Sequence, residues 1–222
     1  MGHHRTTAPR LLTGEELTQA LAGIGMRFAA TPNWHANIED TLVSASVEGM
    51  ENDDLRVLAV LVEWLGVHHA WVNADRLIRA VREQDAQRLR AFWAAVGQWL
   101  DKDRRLRRLT ETYHGPRLDV LRVGTEFQIK RRGEDARFTG TVLRVPEGSL
   151  RDRASDVMSA QELAARHRTY RARVQMGPSY RADMWALLDI EPTLSPTELA
   201  RRAYGSFATA WQVRRDFRCL AA

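Results

Sequence analysis

A single cysteine, Cys219, stands in 222 residues, so no internal disulfide can form and the fold has to rest on its apolar core. Cys219 falls near the end of a predicted helix among arginines, with no histidine base beside it, which points to packing rather than to a nucleophile. No run of eighteen apolar residues occurs, and the stretch through Leu12 lacks the apolar core and small-residue cleavage site of a secretory leader. A cytoplasmic protein without membrane contact is expected. Glycine-rich phosphate loops are missing as well: neither Gly23-Ile24-Gly25 nor Gly133 sits in a strand-to-helix nucleotide motif.

Groups that could carry metal or acid–base chemistry are scattered. His68 and His69 are adjacent and so do not share a helix face as paired ligands would, while His35, His114 and His167 stand in unrelated contexts and His3-His4 lies at the terminus. Glu39-Asp40 and Asp53-Asp54 are acidic pairs of a kind that can hold magnesium, but Asp53-Asp54 sits where a helix N-terminus favours negative charge. Trp64, Trp93 and Trp99 recur at helical spacing and read as core, ahead of a partner-binding face. The expectation is no metal, no cofactor and no enzymatic activity.

What is present is a 44% hydrophobic chain with a net charge of +5, distributed unevenly. Residues 1–100 carry 9 Lys+Arg against 12 Asp+Glu, whereas residues 101–222 carry 24 against 16. Nearly all the basic residues are arginines, whose planar fork suits phosphates and guanine edges. An acidic first half is repelled by DNA and a basic second half attracted.

Hydrophobic spacing predicts a mainly α protein: a helical N-terminal domain over 1–110, a small β element or linker over 111–150, and a helix-turn-helix domain over 151–222. Thr13-Gly14-Glu15-Glu16 reads as a capping box before Leu17, Leu21 and Ile24, closed by Gly25. Further helices follow from Ile38, from Asp53-Asp54 to Gly66, from Asn73, and from about Asp85 to Leu100. The charge run Asp101–Arg108 reads as a solvated face, with a helical continuation through Leu106 and Leu109. Val120–Val123, Phe127–Ile129 and Phe138–Val145 look like short strands around a polar turn at Arg131–Asp135. Ser159-Ala160-Gln161-Glu162 is a second capping box opening a helix through Arg173, and Gly177-Pro178-Ser179 separates it from a helix that Pro192 stops.

The stretch Leu194–Phe217 carries the chemistry. Ser195 is a predicted N-cap with Pro196 at the first helical position and Glu198 placed to reach back. Leu199, Ala200 and Ala203 form an inner face, and Tyr204-Gly205-Ser206 supplies the turn, with its glycine one position later than in the commonest pattern. In the second helix Phe207, Ala210, Val213 and Phe217 share one face, leaving Ala208, Thr209, Trp211, Gln212 and Arg215 outward. Gln212 suits an adenine edge, Arg215 a guanine, and Thr209 a base methyl or a phosphate. Free backbone N–H groups from Ser206 to Thr209 would meet a phosphate, and Arg201, Arg202, Arg214 and Arg218 would hold the DNA backbone.

The run Ser195–Trp211, preceded by Arg173–Trp185, resembles bacterial proteins encoded beside a nucleotidyltransferase-like gene of the AbiEii class. Asn37–Leu42 with Leu65-Gly66-Val67-His68 resembles their N-terminal half, so the likeness covers most of the chain. The resemblance implies an antitoxin of a toxin–antitoxin pair, a transcription regulator that binds double-stranded DNA at its own promoter and neutralises the neighbouring toxin. Paired half-sites would favour a homodimer, although no heptad seam marks one. The competing expectation is a protein-interaction module that binds no DNA and uses the arginine-rich face for docking.

Overall fold

In the computed structural model, which describes residues 11–220, the chain is mainly helical with one minimal sheet. His3-His4 lies outside the described residues. Five helices build the first layer: α1 (Gly14–Gly23), α2 (Ile38–Glu51), α3 (Leu55–His68), α4 (Ala74–Arg82) and α5 (Gln87–Trp99). Their start signals are short polar side chains that accept from free backbone N–H groups. Asn37 accepts from Asp40 N, Asp54 from Arg56 N and Val57 N, and Asn73 from Arg76 N. Thr13 precedes α1 but makes no side-chain cap, so the expected capping box is absent. Nor does Gly66 end α3, which runs on to His68: a glycine inside a helix costs only about 1 kcal/mol, less than the packing of the apolar α3 stripe supplies.

The core gathers Leu42, Leu58, Leu61, Trp64, Leu65, Leu77, Phe92, Trp93 and Val96. Trp64 and Trp93 are fully buried, each with its indole N–H satisfied, by Ile24 O at 2.7 Å and Ser46 Oγ at 2.9 Å. The segment after α5 belongs to this core too. Leu106 and Leu109 are buried on a 3-10 helix (Leu106–Thr112), and Val120, Phe138, Leu143, Val145 and Leu150 join the same cluster.

The β element is smaller than the alternation predicts. Only β1 (Leu118–Asp119) and β2 (Leu143–Arg144) pair, in parallel, with Leu118 opposite Leu143 and Asp119 opposite Arg144. Val120–Val123 therefore lies outside the ladder, and most of Phe138–Val145 forms turns around Gly140, at φ 78. Phe127–Ile129 is not a strand but part of α6 (Thr125–Arg132). Gly124 precedes that helix, Glu126 sits in its first turn, Lys130, Arg131 and Arg132 in its last, and Gly133 at φ 87 closes it, so charge and glycine placement outweigh β-branched texture.

The capping box at Ser159 is present, with Glu162 N to Ser159 Oγ at 3.2 Å and Ser159 N to Glu162 Oε2 at 2.8 Å. The helix it opens is two helices, α7 (Ala160–Arg166) and α8 (Arg168–Met176), broken at His167. His167 is buried and caps α8 through Nδ1, accepting from Tyr170 N at 3.2 Å, while Nε2–H donates to Ala36 O at 3.0 Å. Both nitrogens being used, burial holds the ring neutral, with its pKa lowered to about 4. His68 is held in the same way between Tyr170 Oη at 2.7 Å and Met158 O at 3.0 Å, and burial lowers it to about 4 as well.

Candidate nucleic-acid interface

Three helices finish the chain: α9 (Tyr180–Ile190), α10 (Pro196–Ala203) and α11 (Phe207–Leu220). They enclose a small core of their own, from Met184, Leu188, Leu194, Leu199, Ala203, Ala210 and Val213. Ser195 caps α10 by accepting from Glu198 N at 3.2 Å, with Pro196 at the first helical position as expected. The reciprocal half is missing. Glu198 turns forward to Arg201, at 2.5 and 2.8 Å, and to Arg202 at 2.7 Å. Hydrogen bonds from those two guanidiniums lower its carboxyl to about 2. A charge-assisted bond to arginine is stronger than one to a backbone amide, which explains the direction it takes.

The turn is Tyr204-Gly205-Ser206. Tyr204 occupies the left-handed region, at φ 56, and Gly205 N closes the helix end on Ala200 O at 3.0 Å. A Cβ at Gly205 would overlap the Met184 methyl on α9, so any larger residue here obliges that buried side chain to shift. Ser206 starts α11, accepting from Thr209 N at 3.1 Å and sharing a hydrogen bond with Thr209 Oγ1 at 2.8 Å.

On α11 the inner face holds Ala210 and Val213, fully buried, and Phe217, whose ring meets Trp185 edge-on at 5.3 Å. Phe207 does not join them: it is 53% exposed, a correction to the expected inner face. Ser206, Ala208, Trp211, Gln212 and Arg215 are exposed, as the spacing predicts, while Thr209 is half-buried and its hydroxyl is engaged by Ser206. Cys219 is exposed rather than packed, beside Arg214 and Arg218 in a shallow groove that Pro196 and Trp211 complete.

The arginines divide by partner. Arg201 and Arg202 are held by Glu198, and Arg202 also by Glu191 at 2.6 Å. Arg215 pairs with Asp216 at 3.1 Å and lies 5.6 Å from the Trp211 ring centre. Only Arg214 and Arg218 of the five have no carboxylate partner among the described residues, so the free positive charge lies on α11 rather than on α10.

A second group of residues positions this unit, and it escaped sequence reading. Arg173 on α8 is fully buried between Glu39 of α2, at 2.6 and 2.9 Å, and Asp183 of α9, at 2.7 and 3.0 Å. Asn73 N donates to Glu39 Oε1 at 2.9 Å. Burial alone would raise the Glu39 carboxyl, but the Arg173 and Arg76 guanidiniums outweigh it and hold it below its ordinary value. Burial also opposes the charge on Arg173, and the two carboxylates more than restore it. Glu39 is therefore an interior counter-ion and not part of a magnesium site. Its partner lies 134 residues away, and the one local sign was that Arg173 follows the buried Tyr170 by three positions on the same helix face.

Among the described residues no group of three His, Cys, Asp or Glu side chains converges as a metal site would require, and no helix is long and apolar enough to cross a membrane. Comparison with protein-family models, curated proteins and solved structures yields no match to this chain.

Proposed function

We propose that the protein is a sequence-specific regulator that binds double-stranded DNA through α11. The observation that carries this reading is the division of α11 into a face packed on α9 and α10 and an opposite face exposing Ala208, Trp211, Gln212 and Arg215. A helix supported by two others, with a polar and aromatic outer face, has the dimensions and donors a major groove accepts. In this reading Gln212 reads an adenine edge, Arg215 a guanine, and Arg214 and Arg218 neutralise phosphates. Arg201 and Arg202 contribute less than their charge suggests, because Glu198 and Glu191 already hold them.

The resemblance described above extends the proposal to an antitoxin that represses its own promoter and neutralises a nucleotidyltransferase-like toxin encoded beside it. The test is retention of DNA from immediately upstream of the reading frame, against a random duplex of equal length, at low salt. Gln212→Ala should narrow the difference between the two duplexes, and Arg214→Ala should weaken both alike. No retention of either duplex at low salt would end this reading. The second reading, a protein-docking face, gains support from the exposed Phe207 and Trp211 rings of α11, and would instead give binding to a protein that salt weakens little.

A further inference from the structure

The turn between α10 and α11 does more than reverse the chain. Tyr204 sits at φ 56, ψ 23, a conformation that favours glycine, and yet it carries an aromatic ring. The ring is used. The guanidinium of Arg76, on α4, lies 3.8 Å from its centre. Arg76 is only 3% exposed and is itself held by Asp40 at 3.1 Å and by Glu39 at 3.7 Å. One turn further along α4, Arg79 donates to the Tyr204 carbonyl at 3.5 Å. Tyr180, at the start of α9, lines the same crevice. Since Glu39 also holds Arg173, a continuous set of contacts runs from α8 through α2 and α4 to the turn that launches α11.

We propose that Tyr204 is a positioning residue for the reading helix: seated on Arg76, it sets the direction in which α11 faces outward and couples that direction to the α2–α4 region. The inference rests on the reading of α11 as a DNA-binding helix, but the coupling itself can be measured without DNA. The C-terminal unit is attached along two fronts: α9 packs on α8 through Ala172, Ala182 and Ala186 and is pinned by the interior Arg173–Asp183 pair, while the turn is held by the Tyr204–Arg76 stack and by Arg79 on the Tyr204 carbonyl. The first anchors α9 whatever the turn does. The second front meets the hairpin at its turn, away from the core that α10 and α11 share with α9, so losing the stack should widen the range of hairpin tilts on α9 without unfolding the unit.

Tyr204→Gly removes the ring and its hydroxyl while accepting the left-handed turn, and Tyr204→Asn, which tolerates the same turn without glycine's backbone freedom, separates loss of the latch from a looser hinge. Cys219 is the sole cysteine and is exposed on α11, so a spin label there can be paired with one at Val67→Cys, an exposed position on α3. A narrow distance distribution in the parent protein should broaden or shift in Tyr204→Gly and be restored in Tyr204→Phe, which keeps the ring on Arg76. With upstream DNA, Tyr204→Gly should bind about fivefold to tenfold more weakly, the scale of one desolvated cation–π contact, with Tyr204→Phe close to the parent. An unchanged distribution in Tyr204→Gly overturns the latch, as does a Tyr204→Asn protein that keeps the parent distribution, or a Tyr204→Phe protein that behaves like the glycine variant. If the parent protein binds no DNA, the DNA reading falls while the label distances still decide the latch.

Discussion

Acid should weaken this fold well before its carboxylates titrate. His68 and His167 are both enclosed, His167 accepts a backbone N–H bond at Nδ1 that needs an unprotonated ring, and burial lowers each pKa from about 6.5 to about 4. The unfolded chain therefore binds more protons than the folded one between those values. Stability from these rings is full above about pH 6.5 and declines as the pH falls, until both states are protonated near pH 4. One pKa unit corresponds to about 1.4 kcal/mol, so a step from about pH 7.5 to about pH 5.5 should cost roughly 3 kcal/mol for the pair. Asp40, raised by burial despite Arg76, acts with the opposite sign, which is the reason to stay near neutral pH. With a urea dependence of about 2 kcal/mol per molar, the midpoint should fall by about 1.5 M. Tryptophan fluorescence is a suitable readout, because the Trp64 ring lies 4.7 Å from His68. His68→Gln should halve the pH dependence. Equal midpoints at the two pH values, or an undiminished dependence in that variant, would refute the reasoning.

Other outcomes follow from the same contacts. Arg173→Met leaves Asp183 enclosed without its cation and Glu39 with Arg76 alone at 3.7 Å, and should cost about 3–5 kcal/mol in urea unfolding; a loss below about 1 kcal/mol would mean that the site is not dry. Gly205→Val should push the buried Met184 side chain aside and lower the Tm by a few degrees, at a cost of about 1–3 kcal/mol; an unchanged Tm would contradict the close contact of this turn with α9. Glu198→Gln should release Arg201, with Arg202 still held by Glu191, tightening binding to any duplex and steepening its salt dependence by about 0.9 in the log–log slope; equal slopes would show that Arg201 does not face phosphate. Arg214→Ala should reduce that slope by about 0.9.

The legible part of the chain was local. Asp54, Asn73, Ser159 and Ser195 announce helix starts because a short oxygen-bearing side chain satisfies N–H groups only a few residues away. The inward placement of Ala210 and Val213 and the outward placement of Gln212 and Arg215 follow from the helical period alone. Phe127–Ile129 was misread because β-branched texture is a weak preference, overruled by Gly124, Gly133 and the basic last turn of α6. Only the tertiary structure decided which charges are free. Arginine reads alike in sequence whether it is Arg173, neutralised in the interior by carboxylates on α2 and α9, or Arg218, which has no carboxylate partner among the described residues. The physical reason is range: a cap or a helical face is set by neighbours within four residues, whereas an ion pair or a stack such as Tyr204 on Arg76 depends on which distant elements the core brings together.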